Sequence, residues 1–266
     1  MRIALVSMNQ VWRDKSQNLA QSLKYAHLAA DKKCDLVIFP EMTLTGYSLD
    51  VAGIAEPIHD SPTLKNFGEI AAAAKLDVIF GACLVDTESR HPRNMLCQAK
   101  ADGEVYSIYS KIHPFSFVGE ENFLQRGDAL SCAVVGELRL GCSICYDLRF
   151  PEPFSVLAAT CNAFVNIANW PASRISHWKT LLAARAIENQ LIVLGVNRIG
   201  VDGNGLSYAK SSMAISPDGT ILCPIYSEAE MDIYEIDVED TDKYRKSFPT
   251  LKDKRYSFYK TLYNAL

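Results

Sequence analysis

The chain of 266 residues is long enough to bury a large core, and with 48% hydrophobic and 22% charged residues it has the composition of a folded globular protein rather than a disordered one. Its net charge of −4 supplies no basic surface, which argues against nucleic acid or an anionic membrane as the main partner and leaves a small molecule open. No apolar run is long enough to cross a bilayer and no signal-peptide cleavage pattern is present, so we expect a cytoplasmic protein without a membrane partner.

Hydrophobic periodicity predicts strands and helices that alternate along the first part of the chain. Predicted strands cover residues 3–8, 35–41, 77–85, 93–101, 104–110, 130–135, 137–144, 163–168, 191–197, 207–216, 220–226 and 231–237. Predicted helices cover residues 16–33, 61–75, 152–160 and 173–189. The first helix has an apolar stripe formed by Leu19, Leu23, Ala26 and Ala30.

This alternation, with antiparallel hairpins over 93–110 and 207–226, predicts a mixed α/β fold with two sheets. No linker rich in Pro, Gly or Ser divides the chain. We therefore expect a single domain over residues 1–266, in which residues 240–266 form a polar, aromatic-rich C-terminal tail.

Three predicted strands end in a side chain that can ionise or attack: they run into Glu41, Lys111 and Cys145. If these ends meet at one rim of a parallel-rich sheet, a carboxylate, an ammonium and a thiol share one crevice. That set is sufficient for attack on an amide, because Glu41 can take the thiol proton and deliver it to departing ammonia while Lys111 stabilises the oxyanion. The backbone N–H groups of the turn and the helix that begins at Pro151 are expected to lower the pKa of Cys145.

The ordinary explanation of each residue stays open at this point, because strands often end in a charged residue and many cysteines are simply buried. The eight cysteines are scattered and are expected to be free thiols in a reducing compartment. Cys142 and Cys145 form a C-x-x-C pair, but no second pair or His cluster accompanies them at ligand spacing. We therefore predict no metal site and no cofactor.

Longer motifs surround the three strand ends: Phe39-Pro-Glu41-Met-Thr-Leu-Thr-Gly46-Tyr, Tyr109-Ser-Lys111-Ile-His113 and Gly141-Cys-Ser-Ile-Cys145-Tyr-Asp147-Leu-Arg149-Phe-Pro151-Glu152. A fourth motif is Asn169-Trp-Pro171. Together they resemble the nitrilase superfamily of carbon–nitrogen hydrolases over nearly the whole chain. The resemblance implies a Glu-Lys-Cys triad of Glu41, Lys111 and Cys145 on a four-layer αββα sandwich of two mixed β-sheets flanked by helices. The same resemblance implies association as a homodimer or a higher homo-oligomer. It also implies a second active-site glutamate seven positions before a glycine. Gly127 selects Glu120, with Glu121 as the alternative.

The stretch from Asn169 to Gln190 and the segment from Thr241 to Pro249 are similar to the omega-amidase branch of that superfamily. This branch hydrolyses the terminal amide of small dicarboxylate monoamides such as 2-oxoglutaramate and 2-oxosuccinamate, which implies a thioester intermediate and a small amide as the partner. Cys-Tyr-Asp at Cys145, where true nitrilases usually have Cys-Trp-Glu, counts against a nitrile substrate. Two alternatives stay open: an N-carbamoyl amine or amino acid hydrolase, and a non-catalytic binding protein on the same fold.

Four residues are predicted to contact the substrate: Tyr146, Arg149, Trp170 and Arg174. A guanidinium matches a carboxylate bidentately, so Arg149 is a candidate for the free carboxylate of the substrate. The alternative is an ion pair with Asp147 or Glu152 that fixes the turn. Arg174 is either a second such ligand or a surface residue at a helix start, and Trp170 either lines the pocket or belongs to the core.

The long helix and the C-terminal tail are predicted to carry structural and intersubunit contacts. The apolar face of the helix is formed by Leu181, Leu182, Ala184 and Ile187, and the tail carries Tyr256, Phe258, Tyr259 and Tyr263. We expect His177 to be structural, and His113 to orient a neighbour without transferring a proton. Asp147 has no decisive assignment from the sequence.

Overall fold

The predicted alternation of strands and helices is present in the computed structural model, which describes residues 1–86 and 91–265. The strands are β1 (Arg2–Val6), β2 (Leu36–Ile38), β3 (Glu56–Pro57), β4 (Asp77–Val85), β5 (Arg93–Ala99), β6 (Val105–Ser110), β7 (Cys132–Val135), β8 (Leu138–Ile144), β9 (Ala163–Ala168), β10 (Ile192–Asn197), β11 (Gly200–Val201), β12 (Ser207–Tyr208), β13 (Met213–Ile215), β14 (Tyr226–Ser227) and β15 (Met231–Glu235). The α-helices are α1 (Lys15–Asp31), α2 (Val51–Ile54), α3 (Pro62–Ala74), α4 (Pro151–Leu157), α5 (Ile175–Asn189), α6 (Asp240–Ser247) and α7 (Tyr256–Tyr263). Short 3₁₀ turns lie at Ile58–Asp60, Ser116–Val118, Glu120–Asn122, Cys145–Arg149, Ala172–Arg174 and Thr250–Asp253.

Most of the strands form two mixed sheets. The first sheet has the order β14-β15-β1-β2-β4-β5-β6, with β3 beside the end of β4, and its central strands β1, β2 and β4 are parallel. The second sheet has the order β13-β10-β9-β8-β7, in which β8, β9 and β10 are parallel and the outer strands run antiparallel to them. The hairpin predicted over 93–110 is confirmed by the antiparallel pairing of β5 with β6.

The two sheets lie face to face between two layers of helices. Alternate residues of each strand point to opposite faces, so Ile3 and Leu5 of β1 enter the core between the sheets, where Leu140 also lies. Ala4 and Val6 instead pack in the core beneath α1 and α3. A third core, which includes Trp178 and Leu182, lies between the second sheet and helices α4 and α5. The layer order is helix, sheet, sheet, helix, and the predicted αββα sandwich is confirmed.

Helix α1 turns a more polar face to the core than its apolar stripe predicts. Its buried residues are Asn18, Ser22, Tyr25, Ala26 and Ala29, whereas Leu23 is 42% exposed. The Asn18 amide accepts the N–H of Val11 at 2.7 Å and donates to the carbonyl oxygens of Val11 and Leu44 at 2.7 and 2.8 Å. Because these hydrogen bonds satisfy a buried amide, they fix the rotation of the helix and leave Leu23 outside.

The hairpin predicted over 207–226 forms only next to its turn, where the N–H of Leu222 donates to the carbonyl oxygen of Ala214 at 2.9 Å. β12 pairs with β11 in a separate two-stranded ribbon, β13 joins the second sheet beside β10, and the bridge from Ile215 to Ile221 stands in place of the predicted ladder. Pro217 and Pro224 lack the N–H that a ladder requires. Tertiary contacts thus divide what looks in sequence like two continuous strands.

The C-terminal segment is helical and attached to the second sheet's side of the molecule. The Thr241 hydroxyl donates to the carbonyl oxygen of Asn162 at 2.6 Å, and the Arg245 guanidinium donates to those of Asn189 and Gln190 at 3.0 and 3.1 Å. None of the helices in the described ranges is long and apolar enough to cross a membrane. The boundaries of a single domain over 1–266 stay a prediction.

Candidate active site

The three functional strand ends meet at one cavity, although they do not come from one sheet. β2 and β6 run in the same direction within the first sheet, since β4 is parallel to β2 and β5 is antiparallel to both β4 and β6. β8, which leads into Cys145, belongs to the second sheet. The expectation of a single rim is therefore corrected: the site lies where neighbouring ends of two packed sheets meet. Glu41, Lys111 and Cys145 all line a cavity of about 260 Å³ there.

Glu41 is held in a fully buried loop after β2. Its Oε1 accepts hydrogen bonds from Asn94 Nδ2 at 2.7 Å and from Lys111 Nζ at 3.3 Å, and its Oε2 accepts the N–H of Asn169 at 2.9 Å. The loop passes directly over Gly81 of β4, where a Cβ atom would lie 2.4 Å from the backbone nitrogen of Met42. A glycine in the strand is therefore what lets the carboxylate approach its partners.

Lys111 lies between two carboxylates and is only 2% exposed. Its Nζ is 3.3 Å from Glu41 Oε1, and 3.0 and 2.8 Å from the two carboxylate oxygens of Glu120. Burial alone would lower the pKa of Lys111, but the charges of Glu41 and Glu120 outweigh it and raise that pKa well above its usual value. The site therefore contains a fixed positive charge.

Glu120 reaches Lys111 through the loop that follows β6. Glu120 is 0% exposed and its Oε2 accepts the N–H of Phe115 at 2.6 Å, whereas Glu121 points into solvent. The loop returns to the strand at Gly127, whose N–H donates to the carbonyl oxygen of Lys111 at 2.7 Å. A Cβ atom at Gly127 would lie 2.3 Å from the carbonyl oxygen of Ser110, so only glycine fits. This close approach gives a physical reason for a glycine seven residues after the glutamate.

Cys145 stands at the first position of a 3₁₀ turn with φ +46°, in the left-handed region that costs a non-glycine residue about 1–3 kcal/mol. Its Sγ lies 4.0 Å from the carbonyl oxygen of Asn169. Burial and the nearby charge of Glu41 raise the pKa of the thiol well above its usual value, and Lys111 only partly opposes them. This direction is opposite to the sequence-based expectation, because burial of the sulfur and the charge of Glu41 outweigh the stabilisation that Lys111 gives to a thiolate. A resting thiol that keeps its proton needs a base.

All four predicted substrate contacts line the cavity: Tyr146, Arg149, Trp170 and Arg174. The Arg149 guanidinium lies 4.8 Å from the ring centroid of Trp170, and its Nη2 is 3.4 Å from Nδ1 of the exposed His177. The Arg174 guanidinium lies 5.7 Å from the ring centroid of Phe115. Over residues 1–86 and 91–265 neither guanidinium has a carboxylate within 4 Å, so the ion-pair alternative for Arg149 is not found there.

Trp170 has both of the roles that the sequence left open, because it lines the cavity and also belongs to the core. It lines the cavity, and its ring also packs in the third core with a centroid 5.4 Å from that of Trp178. Its Nε1–H donates to the carbonyl oxygen of Arg174 at 2.8 Å, so it ties the start of α5 to the cavity wall.

Several cavity residues have no assignment from the sequence. Tyr47 stands in a quoted motif without a role, yet its hydroxyl is buried in the cavity wall without a hydrogen-bond partner among the described residues. Burial raises the pKa of Tyr47, so the hydroxyl keeps its proton and is a donor. Leu206 and Tyr208 arrive from the β11–β12 ribbon, for which no local pattern gives a signal. The only sequence signal for Asn94 is an amide inside an apolar strand.

A four-layer sandwich with a carboxylate, an ammonium and a thiol around one cavity defines a class of hydrolases that act on carbon–nitrogen bonds. The chain belongs to the carbon–nitrogen hydrolase family, whose model matches residues 2–246. It is 32% identical to the omega-amidase YafV of Escherichia coli BL21-DE3 over 257 residues, which cover 95% of this chain and 96% of that protein. It is 29% identical to the 2-oxoglutaramate amidase of Bacillus subtilis over 247 residues, which cover 90% of this chain and 93% of that protein.

Among solved structures, the chain is similar to XC1258 from Xanthomonas campestris, a CN-hydrolase superfamily protein with an arsenic adduct in its active site. The two superpose with a TM-score of 0.86 and 32% identity, over 96% of this chain and 97% of the other. The protein is thus an enzyme, a carbon–nitrogen hydrolase that acts on amides. The interpretation as a non-catalytic binding protein is wrong.

Proposed function

We propose that the enzyme hydrolyses the terminal carboxamide of a small carboxylate-bearing substrate, of the 2-oxoglutaramate or 2-oxosuccinamate type, through a thioester at Cys145. The observation that carries the proposal is one cavity lined by Glu41, Lys111 and Cys145 together with two guanidinium groups that lack carboxylate partners in the described part of the chain. A relative named omega-amidase and another named 2-oxoglutaramate amidase support this substrate class.

In the first half-reaction, Glu41 takes the proton from Cys145 Sγ as the sulfur attacks the carboxamide carbon. The carbonyl oxygen becomes an oxyanion, stabilised by the Lys111 ammonium and by the backbone N–H of Tyr146. When the tetrahedral intermediate collapses, the C–N bond breaks and Glu41 delivers its proton to the departing nitrogen. Ammonia leaves and the acyl group remains on Cys145 as a thioester.

In the second half-reaction, Glu41 takes a proton from a water molecule that attacks the thioester carbon. The second tetrahedral intermediate expels the sulfur, and Glu41 returns the proton to it, which regenerates the thiol and releases a carboxylic acid. Glu120 holds the opposite side of the Lys111 ammonium throughout. Because Lys111 is bound on both sides, it stays in place as charge moves between sulfur and oxygen.

The free carboxylate of the substrate is assigned to Arg149, with Arg174 on the same side of the cavity. Both guanidinium groups are available for charge-assisted hydrogen bonds. The Arg149 guanidinium lies over the ring of Trp170 and the Arg174 guanidinium over the ring of Phe115, and these cation–π contacts help to fix their positions. An unpaired guanidinium beside an apolar wall favours a ligand that carries its own negative charge.

The test is ammonia release from 2-oxoglutaramate, glutamine, an N-carbamoyl amino acid and butyramide. We expect the highest kcat/KM with 2-oxoglutaramate, no turnover in Cys145→Ala, and full turnover in Cys223→Ala, which removes an exposed thiol. Undiminished turnover in Cys145→Ala would exclude the thioester mechanism. A clear preference for the N-carbamoyl compound would exclude the substrate class.

The carboxylate assignment is tested on the same substrates with Arg149→Gln. Loss of a charge-assisted hydrogen bond should raise KM for 2-oxoglutaramate about 10- to 100-fold and leave butyramide within about twofold. Arg126→Gln, at an exposed position in the loop after β6, is the matched control and should change neither value. Equal effects of Arg149→Gln on both substrates would contradict the assignment.

We further propose that two copies associate through α5 and the C-terminal segment, and that the enzyme works in the cytoplasm. Exposed apolar side chains are present on this side of the molecule: Val156, Ile187, Tyr256, Tyr259 and Tyr263. Burial of such a patch in a dimer is favourable in proportion to the area removed from water. Light scattering that gives the mass of one chain at micromolar concentration would contradict the proposal of a dimer.

A further inference from the structure

Asp147, two residues after Cys145, is 1% exposed and accepts hydrogen bonds from four donors. Its Oδ1 accepts the backbone N–H of His113 at 2.9 Å and the ring Nδ1–H of the same residue at 2.8 Å. Its Oδ2 accepts the hydroxyl of Tyr109 at 2.7 Å and the backbone N–H of Ile144 at 2.9 Å. Each carboxylate oxygen therefore has two donors.

The donors belong to different sheets. Tyr109 and His113 lie two residues on either side of Lys111, at the end of β6 in the first sheet. Ile144 is the last residue of β8 in the second sheet and directly precedes Cys145. The carboxylate of Asp147 thus joins the segment that carries the ammonium to the turn that carries the thiol.

We propose that Asp147 is a positioning residue that sets the separation between Cys145 and the Glu41–Lys111 pair. It does not line the cavity and touches no reacting atom, so it acts through the two segments it joins. The proposal rests on the roles assigned above to Cys145, Lys111 and Glu41.

A second contact supports this role. The ring of His113 stacks on that of Phe150, with centroids 3.9 Å apart and an interplanar angle of 14°. Phe150 directly follows the turn, so the turn is held to the β6 segment both by the carboxylate of its middle residue and by an aromatic contact just after its end. A turn with a left-handed residue at its first position needs such support, since its backbone conformation is unfavourable on its own.

An amide cannot replace this carboxylate. Asn at position 147 would present an NH₂ group to one of the two donor pairs, where two hydrogen-bond donors would face each other. The hydrogen bonds to that donor pair would be lost, and the segment that carries it would move away from residue 147. A displacement of about 1 Å between reacting groups costs on the order of 100-fold in rate.

The experiment compares Asp147→Asn with Asp77→Asn in the full-length enzyme. Asp77 is also buried, as the first residue of β4, and accepts hydrogen bonds from Gln98, Lys100 and the N–H of Ala101. The measurements are kcat and KM for ammonia release, the thermal midpoint, and the rate at which iodoacetamide alkylates Cys145 in a Cys223→Ala background.

Asp147→Asn should lower kcat by about 10- to 100-fold with KM within about threefold, and should slow alkylation of Cys145 by a similar factor. Both variants should lower the thermal midpoint by similar amounts, because each replaces a buried carboxylate that accepts several hydrogen bonds. Asp77→Asn should nevertheless leave kcat and the alkylation rate within about twofold of the wild-type values. Wild-type kcat and alkylation in Asp147→Asn, or the same losses in Asp77→Asn, would overturn the proposal.

Tyr109→Phe provides a second variant that removes one donor and keeps the other three. It should lower kcat about 3- to 10-fold, and in the Asp147→Asn background it should add no further loss, because both changes act on one contact. Wild-type kcat in Tyr109→Phe would overturn the proposal even if Asp147→Asn did not fold. Independent additive losses in the folded double variant would overturn it as well. If the wild type released no ammonia from any amide, the proposed function would fail, and the alkylation rates would still decide the role of Asp147.

Discussion

At the scale of single residues, the site contains fewer positive than negative side chains. One ammonium, that of Lys111, serves two buried carboxylates, and the thiol of Cys145 remains protonated beside them. Because Lys111 is shared with Glu120, it does not bind Glu41 alone, which fits the role of base proposed for Glu41. In the proposed mechanism, the second glutamate therefore acts on the reaction through the lysine.

Replacement of Glu120 by Gln tests this balance. Lys111 would pair with Glu41 alone and draw its carboxylate away from the sulfur, so kcat for ammonia release should fall on the order of 100-fold. Glu121→Gln changes the exposed neighbour in the same way and should leave kcat within about twofold. Full activity in Glu120→Gln, or equal losses in the two variants, would contradict this account.

The residues proposed to carry the chemistry could be named from the sequence because each of them lies at or just after the end of an apolar strand in a recognisable motif. The structure places Glu41, Lys111 and Cys145 at one cavity and Glu120 against Lys111. The direction of the Cys145 pKa, the four donors to Asp147 and the unpartnered hydroxyl of Tyr47 could not be predicted. Each depends on burial and on contacts between distant segments, which leave no local pattern in a sequence.

At the scale of elements, the loop between β6 and β7 is the part that completes the site. It leaves the strand at Lys111, places Glu120 beneath that lysine and returns at Gly127, where the backbone contacts the strand end again. The geometry of the loop is therefore set by the close approach of its last residue to the strand.

Gly127→Ala should move this loop. The added Cβ atom would lie 2.3 Å from the carbonyl oxygen of Ser110, which the backbone can relieve only by shifting and withdrawing Glu120 from Lys111. We expect a fall in kcat of about 10-fold or more together with a lower thermal midpoint. Ala129→Gly, at an exposed position two residues later, should leave kcat unchanged, and a fully active Gly127→Ala enzyme would show that the loop does not set the site.

Most elements could be predicted from hydrophobic periodicity, with boundaries within a few residues. The short elements α2 and β3 and the helices α6 and α7 of the C-terminal segment had no predicted counterpart. Two predicted regions differ from the structure: α1, where buried hydrogen bonds of Asn18 set the rotation of the helix, and residues 207–226, which the second sheet and the ribbon divide between them. In both cases the sequence pattern describes a local preference, and a contact from elsewhere in the chain overrides it.

At the scale of the whole molecule, buried thiols link stability to alkaline pH. Burial raises the pKa of Cys83 to about 12 and that of Cys142 to about 12. A thiol with a higher pKa in the folded than in the unfolded state holds its proton more tightly when folded. Its contribution to stability is complete below the unfolded pKa of about 8.5 and is lost as the pH rises from there towards 12.

The free energy of unfolding should therefore fall with rising pH above about pH 9, by about 1 kcal/mol per pH unit for each such thiol. Urea unfolding at about pH 8 and about pH 10 measures the slope. The double variant Cys83→Ala, Cys142→Ala should show a slope smaller by about 2 kcal/mol per pH unit, whatever its absolute stability. An unchanged slope in the double variant would contradict the assignment of the effect to these thiols.

The origin of the site in two sheets has a consequence for incompletely folded chains. A chain in which only the second sheet has formed has the thiol of Cys145 without the carboxylate of Glu41 beside it. A chain in which only the first sheet has formed has that carboxylate without the thiol. Under the proposed mechanism neither half can attack an amide, so newly synthesised or partly denatured copies should be inert towards the carboxamide side chains of their neighbours. Hydrolysis should begin only when the two sheets have packed against each other.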